Sequence, residues 1–184
     1  RECVSATGLY KGKRLSVVST GIGTDNIDIV VNELDALANV DFTTRTVKQS
    51  HRSLSFIRIG TSGSLQADLP VDSWLMSSHS IGFDGLLNFY DGVERISDLQ
   101  FEDAFMQHLN WNPRLTHPYV IAASEKLKNK IKTDEMNLGV TISAPGFYGP
   151  QGRVIRLGIQ DENINQKIGS FRYNGYRVTN YEME

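Results

Sequence analysis

Arg14-Leu15-Ser16-Val17-Val18-Ser19-Thr20-Gly21-Ile22-Gly23-Thr24-Asp25 is the stretch that decides the fold class. Residues 14–20 are a short β-rich run that stops at Gly21-Ile22-Gly23. Thr24 or Asp25 then stands where a side-chain oxygen can cap a helix by accepting from the exposed N–H groups of its first turn. In that helix Ile27, Val30, Val31, Leu34, Leu37 and Ala38 share one face at the 3.6-residue period, while Asp28, Asn32, Glu33 and Asp35 fall largely elsewhere. Strand, glycine turn and amphipathic helix make half a βαβ unit.

Working outward, residues 9–12 read as a turn between strands. Beyond the helix a long polar connection, residues 39–53, leads to a strand at Ser55-Phe56-Ile57-Arg58-Ile59-Gly60. A turn near Pro70 precedes a strand at residues 74–78, and helices are expected at 101–109 and 124–132. Residues 138–143 form a strand that runs into a glycine-rich loop. Asp161 opens a helix carrying Ile164 and Ile168, and residues 176–181 are the last strand. This alternation predicts one α/β domain over residues 1–184 around a mixed sheet, with ligands outside the carboxyl ends of the strands.

The 184 residues suffice for one hydrophobic core, and a net charge of −2 gives no broad electrostatic case for nucleic acid or an anionic membrane. An anion must therefore be held by a local constellation. The single cysteine, Cys3, fits a reducing compartment and reads as structural. No apolar run reaches membrane-spanning length. The chain opens on Arg1 and closes on Tyr181-Glu182-Met183-Glu184 without a stop signal, so both ends are expected to be cut.

Three constellations have chemical content. Arg58-Ile59-Gly60-Thr61-Ser62-Gly63 combines a guanidinium fork, two hydroxyls and two glycines that let backbone approach a ligand, a set that can hold a tetrahedral oxyanion. The same residues fit equally a turn whose arginine pairs with a buried carboxylate. Phe147-Tyr148-Gly149-Pro150-Gln151-Gly152-Arg153 places an amide and a guanidinium two residues apart beside two aromatics, which suits the edge and face of a ring such as uracil, or a solvated turn. Glu182 and Glu184 would face one side of a continuing strand and can accept from a ribose diol, or simply end the chain in solvent. Gly21-Ile22-Gly23 lacks the remaining residues of a dinucleotide fingerprint or a P-loop and reads first as a tight turn. His51, His79, His108 and His117 have no metal-ligand spacing; His79 with Asp84 reads as core or surface before it reads as a catalytic pair.

In their order and spacing, Ser19–Gly23, Phe56–Gly63, Phe147–Arg153 and Asn180–Glu184 resemble the uridine phosphorylase branch of the nucleoside phosphorylase superfamily. The resemblance implies a three-layer α/β/α fold with a mixed, partly barrel-like central sheet, here incomplete at both termini. It implies that Arg58 and Thr61, with the Gly60 backbone, bind the attacking phosphate, and that Arg1 reaches a neighbouring subunit's phosphate across a dimer interface. Gln151 and Arg153 would hold the uracil edge, Phe147 would pack against the base, and Glu182, Met183 and Glu184 would surround the ribose. Gly152 stands where many hexameric bacterial enzymes carry glutamate, which points to the dimeric branch. The implied reaction is reversible phosphorolysis of uridine to uracil and ribose 1-phosphate in pyrimidine salvage. Arg58, Arg153 and Gln151 would be its catalytic residues, in a cytoplasmic homodimer or higher homo-oligomer that needs neither metal nor organic cofactor. Purine nucleoside phosphorylase, a nucleosidase of the same fold and a non-catalytic nucleoside-binding fragment are the alternatives.

Overall fold

A computed structural model describes residues 3–184; Arg1, and with it the cross-subunit phosphate contact expected of it, lies outside the described residues. By packing, the chain divides into two compact units, one running to Gly60 and taking in Glu184, the other Thr61–Met183. Each is described by itself.

The first unit opens with an antiparallel hairpin of β1 (Ser5–Tyr10) and β2 (Lys13–Val18). Lys11 and Gly12 both have positive φ, 49° and 75°, the two-residue geometry that matches strand twist, so the turn falls where it is expected. Helix α1 (Thr24–Asn39) follows, but its N-cap is Gly23 at φ 111° with no side-chain cap, not Thr24 or Asp25. The helix starts early enough to place both side chains inside its first turn, where the Asp25 charge still suits the N-terminal dipole. A two-residue hairpin, β3 (Val40–Asp41) with β4 (Thr46–Val47), completes the regular structure.

The strand expected at residues 55–60 does not form: this segment has no regular structure, and Phe56 and Ile59 are 46% and 86% exposed. An apolar, β-branched run becomes a strand only when a neighbour takes its ladder hydrogen bonds, and among the described residues none does. For the same reason β2, paired only with β1, has no parallel partner among the described residues. The strand, turn and helix of the half βαβ unit are present in order without its parallel sheet.

In the second unit β5 (Gly63–Ser64), β6 (Trp74–Gly82), β7 (Tyr119–Ala122), β8 (Met136–Ser143), β9 (Arg172–Tyr173) and β10 (Tyr176–Glu182) form one six-stranded sheet. The order is β5-β10-β8-β6-β7, with β9 on β10. Strands β6, β8 and β10 are parallel, and β5, β7 and β9 run antiparallel to their neighbours. The sheet is mixed, as expected, but open and not partly barrel-like.

Helix α2 (Leu99–Leu109) is capped by Asp98 and α3 (Glu125–Ile131) by Ser124, each side chain accepting from the third residue on. Helix α4 (Ile164–Ser170) begins three residues later than expected. Asp161 instead accepts from the Asn163 amide at 3.0 Å and pairs with Lys167 at 2.6 Å, which holds its carboxyl below the usual range. Helices α2 and α4 touch each other as well as the sheet. Between them and the strands lies the core, where Ile81, Phe101, Phe105, Val140, Ile142 and Ile168 are wholly buried. His79 belongs to this core, edge-on to Tyr176 and tilted on Phe101, and burial lowers its pKa.

Both neighbours of β8 carry an extra residue at nearly the same level. The register slips between Ser77 and His79 on β6, and between Val178 and Asn180 on β10. A bulge leaves ladder groups unpaired. Here the bulged residues themselves supply partners: Ser78 Oγ donates to the Gly139 carbonyl at 3.0 Å, and Thr179 Oγ1 lies 3.1 Å from that of Val140. Gly139 has no side chain because Thr179 occupies the place of one.

Among the described residues no helix is long and apolar enough to cross a membrane, and no group of three His, Cys, Asp or Glu is arranged to hold a metal ion.

Candidate active site

The parallel strands all finish at one edge of the second unit. Register pairs Gly82 with Ser143 and Ser143 with Glu182; the Phe83 amide donates to the Ser143 carbonyl, and the Ala144 amide to that of Glu182, each at 2.9 Å. Because β5 runs antiparallel to β10 with Gly63 opposite Tyr181, Thr61 and Ser62 arrive at this same edge. Outside the carboxyl ends of parallel strands is where an open α/β sheet leaves room for a ligand.

The loop that leaves β8 here closes on itself. The amides of Gln151 and Arg153 donate to the Tyr148 carbonyl at 3.0 and 2.9 Å, and Gly152 turns at φ 67°, which only glycine adopts without strain. Arg153 Nη1 donates to Gln151 Oε1 at 2.7 Å and to the Phe147 carbonyl at 3.1 Å, and the guanidinium carbon sits 3.9 Å from the Phe147 ring centre. Thus Phe147, Gln151 and Arg153 form one cluster, with Gln151 buried and Phe147 half exposed. The other guanidinium nitrogen lies against Gly63: a Cβ there would stand 3.0 Å from it.

Glu182 is buried at the end of β10, near Tyr119. The Tyr119 hydroxyl donates to both carboxylate oxygens of Asp84, at 2.8 and 2.9 Å, and its ring fills the space a side chain at Gly82 would need. Burial first, then Asp84 and Glu182, push the Tyr119 pKa up. Asp84 therefore serves Tyr119 and the Leu86 amide, while His79 Nδ1 contacts Ser78 Oγ. Of core and surface, the two places expected for His79, it takes the core.

In the first unit Arg58 is ion-paired with Glu184. Its guanidinium folds back over Gly60, where a Cβ would lie 2.7 Å from Nη2. Arg58 thus lies outside any strand, 39% exposed and paired with a carboxylate that is 11% exposed.

Sequence reasoning did not single out Asn165, Asp84's partner Tyr119, or the contact of Gly63 with Arg153. Each depends on residues more than a dozen positions apart. The one local trace is Asn165 itself, a polar residue between the apolar Ile164 and Ile168 on α4.

The family model of the Phosphorylase superfamily matches residues 1–184. The chain belongs to that superfamily. Uridine phosphorylase of Thermococcus kodakarensis is 28% identical over 186 residues, covering 100% of this chain and 54% of that protein. A DeoD-type purine nucleoside phosphorylase of Caldanaerobacter subterraneus is 48% identical over 65 residues, 35% of this chain and 22% of its own length. The crystal structure of a Trypanosoma brucei nucleoside phosphorylase, described as showing uridine phosphorylase activity, aligns with a TM-score of 0.80 at 28% identity, over 100% of this chain and 68% of that one. The chain spans about half the length of the first of these relatives. Its mixed sheet flanked by helices is the fold of the superfamily.

Proposed function

We propose that this chain carries the nucleoside and phosphate sites of a uridine phosphorylase. The Phe147–Gln151–Arg153 cluster carries this reading: a ring face, an amide and a guanidinium are held together at the carboxyl edge of the sheet. Gln151 supplies an acceptor for a ring N–H, Arg153 supplies donors for a ring carbonyl, and Phe147 offers its face.

In the proposed reaction a phosphate oxygen attacks C1′ as the bond from C1′ to the uracil nitrogen breaks. The electron pair leaves with uracil, and the sugar passes through an oxocarbenium-like state. Arg58 and Thr61, with the Gly60 backbone, position the phosphate, whose charge stabilises the cationic sugar. Arg153 and Gln151 meet the negative charge that grows on uracil, an interaction stronger in the transition state than in the ground state. Glu182, Met183 and Glu184 hold the ribose, Glu184 accepting from its hydroxyl pair. No metal or organic cofactor enters any step.

The protein is further proposed to work in pyrimidine salvage in the cytoplasm, as a homodimer or higher homo-oligomer in which Arg1 serves the neighbouring subunit's phosphate. Release of uracil from uridine by the full-length protein, with and without phosphate, tests the reading. Turnover only with phosphate is expected, and equal cleavage without it would leave a nucleosidase. One observation favours a second reading: the 65-residue stretch shared at 48% with a purine enzyme. Inosine outcompeting uridine would establish it.

A further inference from the structure

The base-reading loop is tied to the rest of the second unit through one side chain. Asn165, on the first turn of α4, donates from Nδ2 to the Gln151 carbonyl at 3.1 Å, and its Oδ1 accepts from the Tyr181 hydroxyl at 3.1 Å. Turning the amide over would set Oδ1 against the Gln151 carbonyl, acceptor to acceptor, so that carbonyl fixes its orientation. Gly152 passes so close that a Cβ there would lie 2.6 Å from Asn165 Nδ2. Tyr181 is buried on β10, opposite Gly63, and directly precedes Glu182. A continuous line of hydrogen bonds therefore runs from the end of β10 through Asn165 into the backbone between Gln151 and Arg153.

We propose that Asn165 is a positioning residue that, together with Tyr181, sets how Gln151 and Arg153 are presented to the base and so tunes selection of the nucleobase without touching it. The idea rests on the uridine phosphorylase reading for its substrate and on the geometry alone for its mechanics. Amide bonds within the loop close its turn, and the Gln151 carbonyl is engaged from outside the loop by Asn165, which joins that turn to β10 in one network. Loss of that bond leaves the peptide between Gln151 and Gly152 held only from within the loop, by the Gly152 amide on the Gly149 carbonyl at 3.0 Å, and so loosens the base of the Arg153–Gln151 side-chain bond.

The test uses the full-length protein and its Asn165→Ala, Tyr181→Phe and doubly substituted forms. Asn165→Ala should raise the KM for uridine about tenfold, the scale of one lost hydrogen bond, with the KM for phosphate changed less than about twofold. Tyr181→Phe should do the same more weakly, and the double variant should be no worse than Asn165→Ala, since both remove one line of bonds. Equal shifts for uridine and phosphate, unchanged uridine kinetics, or strict additivity would each overturn the assignment. Hydrogen exchange supplies a readout independent of turnover. Asn165→Ala should speed exchange at the amides of Gln151, Gly152 and Arg153 and leave β8 as it was. If those amides stay protected, or β8 loosens with them, the positioning role is refuted. If the unaltered protein releases no uracil, the functional reading fails and exchange still decides the role of Asn165.

Discussion

The two units use similar sequence patterns to opposite effect. In Thr61–Met183 the apolar positions of α2, β8 and β10 meet one another: Phe101, Phe105, Ile142 and Val178 are wholly enclosed. In the unit that runs to Gly60 the amphipathic face of α1 is only half covered, Leu37 is 64% exposed, and Leu9, Val17 and Ile59 face solvent. Periodicity states that a face is available for burial, and only a second element decides whether it is buried. The enclosed unit thus frames the loop proposed to read the base, whereas Arg58 lies on a segment without ladder hydrogen bonds among the described residues.

The largest test of this contrast is a pair of truncations. Phe101→Ala should cost about 3–5 kcal/mol in denaturant unfolding, and Ile59→Ala within about 0.5 kcal/mol. A cost above about 1 kcal/mol for Ile59→Ala would mean that this side chain is packed in the protein as tested. Next, Arg58→Ala should raise the barrier to phosphorolysis by about 2–4 kcal/mol despite the exposed position of the residue. Arg153→Ala should damage the use of uridine more than the binding of phosphate, and near-normal phosphate kinetics in Arg58→Ala would break the assigned division of labour. Gly152→Ala should cost about 1–3 kcal/mol, because alanine is strained at positive φ and its Cβ meets Asn165.

The smallest effect is a pH slope confined to the enclosed unit. Burial lowers the His79 pKa from its ordinary 6.5. Below that value the unfolded chain binds a proton that the folded one does not, so stability is full above it and falls with pH beneath it. The slope is at most about 1.4 kcal/mol per pH unit, and it should vanish in His79→Leu.

Much of the fold was legible because some elements announce themselves locally. The start of α3 at Ser124, the Lys11-Gly12 turn and the apolar runs of β8 and β10 are matters of neighbouring residues, whereas α2 begins two residues earlier than expected, behind the cap at Asp98. Strand β7 was not anticipated: four residues, Tyr119–Ala122, carry too short a pattern to separate from a loop. The strand expected at residues 55–60 had the right composition and has no partner among the described residues, which no local window reports. At the site, the types and order of Phe147, Gln151 and Arg153 were readable because they lie within seven residues. The tether through Asn165 and the clasp of Tyr119 on Asp84 join residues 14 to 35 positions apart and left no trace in spacing.

The paired bulges beside β8 bear on how such a site can change. Beyond Ser78 and Thr179 only a few residues remain before β6 and β10 end at Gly82 and Glu182. Removing either inserted residue would restore plain alternation and leave the downstream pairing as it is, because the residues on its two sides already face consecutive residues of β8. What the extra residues add is local twist and the hydroxyls of Ser78 and Thr179, so the strand tips could lose a residue there and still present the same side chains to a ligand.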